Sequence, residues 1–164
     1  MKIQRTMDHR GTPAEVFEII SDPEFQQEKV AVTGPTAVAE VTPGDGGVAI
    51  RTERHLPTDQ MPDVARRLLG ATMTIVEEQR WGAERSDGTR RGEVRMSAPG
   101  APISLTGRLL LEPAGAGSRL SVDADLKCSI PLVGRQIEQS AEPGVTMGID
   151  YESELIDRWL SAED

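Results

Sequence analysis

Cysteine occurs once, at Cys128, which rules out an internal disulfide and a multi-cysteine zinc site and suits a reducing compartment. Aromatic residues make up 3% of the chain, leaving few platforms on which nucleobases could stack. No long uncharged apolar run exists, so no segment reads as crossing a bilayer. The opening MKIQRTMDHR has no apolar run after its first charge and does not read as a signal peptide. Basic charge is in deficit, with 18 Lys and Arg against 27 Asp and Glu and a net charge of −9. A phosphate-backbone partner normally needs a basic stripe, whereas Arg66-Arg67 and Arg90-Arg91 read as solvated charges beside Gly-containing turns. Nucleic acid and a membrane span are therefore set aside, and a cytoplasmic protein is expected.

What is present is enough for one domain spanning residues 1–164, since a chain of this size buries roughly 70% of its unfolded surface. Residues 2–9 alternate as a first strand. GTPAEVFEIISDPEF then carries two helix starts in succession. Thr12, Pro13 and Glu15 form a capping-box start, and Asp22-Pro23 repeats the device ahead of Phe25, so two short helices are expected with Val16, Phe17, Ile20 and Phe25 buried. From 36 to 129 the period changes to two. Strands are expected at 36–42, 47–56, 72–82, 90–97, 102–112 and 118–129, separated by PGDGG, SDG, APGAP and PAGAG turns. Short links between successive strands favour an antiparallel meander. PDVARRLLG at 62–70 interrupts it as a short helix or helical loop.

After Ile130-Pro131 the period is helical again. Val133, Ile137, Ala141, Gly144, Gly148, Tyr151, Leu155 and Trp159 fall on one stripe, large at both ends and small in the middle. Pro143 removes a backbone donor, which leaves open whether it kinks this helix or divides it.

Strand, two short helices, six-strand meander and long final helix is the order of the helix-grip fold. The chain resembles START-like (SRPBCC) proteins, and more closely the actinobacterial DUF2505 family, through MDHRGTPAEVFEIISDPEF at 7–25, IPLVGRQIE at 130–138 and ESELIDRWL at 152–160. The resemblance implies an α+β fold, with a curved seven-stranded antiparallel sheet wrapped around the C-terminal helix and a cavity between them. It brings no reaction with it.

Within that frame, Ala141, Gly144 and Gly148 are read as the roof of the cavity, although small residues serve equally for close packing. Ile137, Tyr151, Leu105, Leu109, Val122 and Leu126 are expected to line it. Arg54 and Glu77 share otherwise apolar strand faces and are candidates to orient a ligand's carboxylate or hydroxyl; the competing expectation turns them to solvent. Val64, Leu68 and Leu69 are candidates for a lid, or for a packed connector. His9 and His55, near strand ends, read as solvated surface histidines, and Cys128 as an inert core thiol. No nucleophile motif, phosphate-cradling Gly pattern or metal-ligand spacing occurs, so no catalytic residue, cofactor or metal is assigned. The expected role is non-catalytic binding of a small hydrophobic molecule such as a lipid, isoprenoid or polyketide-like compound. The alternatives are a cyclase, dehydratase or hydrolase working in the same cavity, and a protein-interaction module, with a homodimer as one form of it.

Overall fold

A computed structural model describes residues 1–163. Strand β1 (Lys2–His9) leads into helices α1 (Pro13–Ile20) and α2 (Pro23–Ala31), followed by β2 (Val38–Gly44), β3 (Gly47–Pro57), α3 (Asp63–Leu69), β4 (Thr72–Trp81), β5 (Arg90–Ser97), β6 (Ile103–Ala114), β7 (Gly117–Cys128) and α4 (Gly134–Ala162). The strands form one antiparallel sheet in the order β1-β7-β6-β5-β4-β3-β2. Each strand from β2 to β6 pairs with its successor, while β1 pairs with β7, so β1 and β2 are the two edges.

Local chemistry explains these boundaries. Thr12 Oγ1 accepts from the Glu15 backbone N–H at 3.2 Å, and Asp22 Oδ1 accepts from that of Glu24 at 2.8 Å, with Pro in the first turn of each helix. The β2–β3 hairpin turns at Asp45-Gly46, both with positive φ (53° and 74°), the pairing a tight two-residue hairpin demands. In β7 the alternation is complete: Ser118, Leu120, Val122, Ala124, Leu126 and Cys128 are buried.

The final helix is a single element from Gly134 to Ala162 with Pro143 inside it. Packing at its two ends holds it. Leu155, Ile156 and Leu160 join Ile3, Val16, Ile19, Ile20 and Phe25 in the main core. Burying one such side chain contributes about 1.5–3 kcal/mol. The ring of Trp159 meets Phe25 edge-on at 5.5 Å, and its Nε1 donates to Glu28 at 2.7 Å, docking α4 on α2. At the other end Ile137 packs with Ala65 and Cys128 in a separate small cluster. The helix thus bridges between two packed ends.

Candidate functional site

Beneath the bridged part of α4 lies a cavity of about 300 Å³. Its wall is built from inward positions of β3 to β7, because alternate strand residues face the helix side: Leu105 and Leu109 on β6, Val122 and Leu126 on β7, Ile75 and Trp81 on β4. Ala141, Gly144, Val145, Gly148, Ile149 and Glu152 of α4 roof it at helical spacing. A Cβ added at Gly144 or Gly148 would meet no atom within 4 Å, beyond the helix's own nearby backbone. Small residues here span open space; they do not permit close approach. Met7, Met61, Met73 and Met96 also border the cavity, which makes much of the wall unbranched, polarizable and adaptable in shape. Pro57, Ser104, Ser140 and Gly144 are exposed lining residues and mark the mouth.

Some sequence expectations are corrected by these positions. Ile137 lies in the small cluster with Ala65 and Cys128, one turn before the cavity begins. Tyr151 sits at the edge of the helix's inward face with the Arg158 guanidinium 5.8 Å from its ring, and Glu152 takes the inward position. The stripe read from sequence was centred slightly off the true one. Val64 and Leu69 pack against the Ala65 cluster and Leu68 is 54% exposed, so none of the three borders the cavity; Pro57 and Met61, ahead of α3, do. His9, expected at the surface, has no exposed side-chain area: its Nδ1 lies 2.7 Å from Asp157 Oδ1, because α4 covers the end of β1. His55 stays half-buried on the other face of β3, 3.1 Å from Thr74 Oγ1.

Arg54 and Glu77 do line the cavity, and the structure adds two charged partners that sequence reasoning missed. Glu77 Oε2 accepts from Arg54 Nη2 at 2.8 Å, while its Oε1 accepts from Gln79 Nε2 at 2.8 Å and Lys29 Nζ at 3.3 Å. Lys29 also donates to Glu152 Oε2 at 3.4 Å, and Gln79 Oε1 accepts from Trp81 Nε1 at 3.0 Å. Lys29 comes from α2, Arg54 from β3, Glu77 from β4 and Glu152 from α4, so the cluster ties four elements together. The only local signal for Lys29 is its place on one helical face with Phe25, Gln26 and Val30, all buried.

Burial alone would raise the Glu77 pKa, but the charges of Lys29 and Arg54 and the hydrogen bonds from Gln79 and Lys29 outweigh it and hold the carboxyl at about 2. For Lys29, burial works to lower the pKa, yet Glu152 and Glu77 overcome it and keep the ammonium above its ordinary value. Both groups are therefore charged at neutral pH. Their proton affinities lie far from those of a general acid or base working near pH 7.

An antiparallel seven-stranded sheet gripping a long C-terminal helix, with a cavity between the two, is the helix-grip fold of START-like proteins. Residues 4–160 match the family described as Protein of unknown function (DUF2505), and the chain belongs to that family. It is 21% identical over 164 residues to the uncharacterized protein Rv0481c of Mycobacterium tuberculosis, covering 94% of this chain and 93% of the relative. Among solved structures it is similar to TTHA0849 from Thermus thermophilus, at 15% identity, full coverage of both chains and a TM-score of 0.63. It is also similar to the Zhui aromatase/cyclase from a Streptomyces species, at 12% identity, 95% and 90% coverage and a TM-score of 0.56. At these identities the structural likeness establishes the fold and nothing finer.

Proposed function

We propose that the protein binds a small, mainly apolar molecule in the cavity under α4, without transforming it. The open space below Gly144 and Gly148, in a helix anchored at both ends, is the observation that carries this reading. A void of this kind lacks dispersion partners along its lining, so a fitting occupant gains those contacts and sheds apolar surface from water. The occupant's apolar body would face Leu105, Leu109, Val122, Leu126 and the methionines, and its polar group would face Arg54. Lipids, isoprenoids and polyketide-like compounds are the classes that suit such a wall. The reducing cytoplasm is the setting that the composition suggests.

An enzyme using the same cavity is the second reading, favoured by the charged residues inside it and by the aromatase/cyclase among similar folds. It is the weaker one. Glu77 is held too acidic and Lys29 too basic for proton transfer near neutrality, and neither histidine reaches the cavity. Native mass spectrometry of the protein after incubation with a cell lipid extract tests the binding reading. A stoichiometric adduct in the natural sequence that is lost in a Gly144→Leu, Gly148→Leu variant is expected. Equal occupancy in both proteins, or none in either, would refute it.

A further inference from the structure

The proposed binding role leaves the chemistry of the occupant open, and the charged cluster narrows it. Arg54 spends Nη2 on Glu77; among the described residues its buried Nε finds no partner, and its Nη1 donates to no protein atom. Glu77, by contrast, has both oxygens engaged. Within this pair the spare hydrogen-bonding capacity is therefore all in donors, and a guanidinium offers no acceptor of its own. Nη1 is not among the enclosed atoms, so water reaches it; an apolar molecule with nothing to accept would exclude that water and leave the donor unsatisfied, a cost that a fitted acceptor removes.

The charge balance selects among acceptors. Among the described residues, the charged ones bordering the cavity are Lys29, Arg54, Glu77 and Glu152, two cations and two anions, all linked by the pairs above. Their side chains are between 4% and 17% exposed, so little water screens them. A carboxylate entering this balanced set would add an uncompensated buried negative charge, in a chain whose net charge is already −9. An ammonium would add an uncompensated positive charge and leave the Arg54 donors unmet. A neutral acceptor satisfies the donors and disturbs no charge. Read from sequence, Arg54 and Glu77 alone allowed a ligand carboxylate; Lys29 and Glu152 change that expectation.

We infer that the occupant is an electrically neutral apolar molecule bearing a carbonyl-type acceptor, a ketone or ester, which Arg54 holds. The inference rests on the cavity being a binding site. It is tested with four probes of about ten carbons each, namely the alkane, the methyl ketone, the carboxylate and the primary ammonium, by displacement of the neutral dye Nile red at pH 7. The methyl ketone is expected to bind roughly ten- to a hundred-fold more tightly than the alkane, the range for a hydrogen bond to a charged donor, and more tightly than either ion. In Arg54→Met the ketone preference over the alkane is expected to fall to near unity. The ratios in the natural sequence stand as a test even if that variant folds poorly. Tightest binding by the carboxylate or the ammonium, or equal binding of ketone and alkane, overturns the inference while leaving the cavity a binding site. Failure of the dye and all four probes to bind overturns the binding role itself.

Discussion

Replacing Glu77 with Gln removes one negative charge from the cluster and changes little in shape. A carboxyl whose pKa falls from 4.5 to about 2 on folding contributes about 3 kcal/mol to stability at neutral pH. Removing one partner of a buried ion pair costs about 3–5 kcal/mol by general experience, so the two routes agree. The sign follows from the lowered pKa: the contribution is fully present above 4.5 and is lost as pH falls toward 2. Lys29 adds no slope in that range, because its raised pKa makes its own contribution fade only at pH above 10.5. Exposed carboxylates with lowered pKa values, such as Asp8 and Asp87, titrate in both proteins and cancel in the difference. Urea denaturation of both proteins at pH 7, 5 and 3 measures the gap. It should be about 3 kcal/mol at pH 7, persist at pH 5 and shrink at pH 3. A gap that stays constant from pH 7 to pH 3, or one below about 1 kcal/mol at pH 7, refutes the account of Glu77 as a charge held by Lys29 and Arg54.

Other substitutions separate the roles of the cavity's parts. Gly148→Leu should raise thermal stability, by up to about 1 kcal/mol from helix propensity, because its side chain enters open space; calorimetry measures this, and a lowered midpoint would mean the space is not there. Gly117→Ala should instead destabilise by more than about 1 kcal/mol, since a Cβ there collides with the carbonyl oxygen of His9, and denaturant titration reads the loss. The double change Lys29→Met, Glu77→Met should be at least as unstable as Glu77→Gln at pH 7, because it leaves Arg54 and Glu152 buried without the partners that held them. Urea denaturation reads the difference, and a double variant within about 1 kcal/mol of the natural stability would refute the account of the four charges as one mutually dependent set.

The sequence by itself determined the elements and their order. Alternation in β7, the Thr12 and Asp22 caps and the Asp45-Gly46 turn are signals within a few residues, and each appears in the structure where its pattern lies. The small-residue centre of α4 was legible for the same reason, as a property of one helix face. Only the tertiary structure decided whether small residues meant a gap or close contact, because that depends on how far the sheet opposite stands away. It also decided which charged and polar side chains enter the interior. Lys29 meets Glu77 and Glu152 across 48 and 123 positions of chain, and His9 meets Asp157 across 148. Burying a charge is favourable only beside its partners. Those partners arrive on other elements, so the helical face of Lys29 tells of its burial but not of its partners, and nothing local to His9 names Asp157.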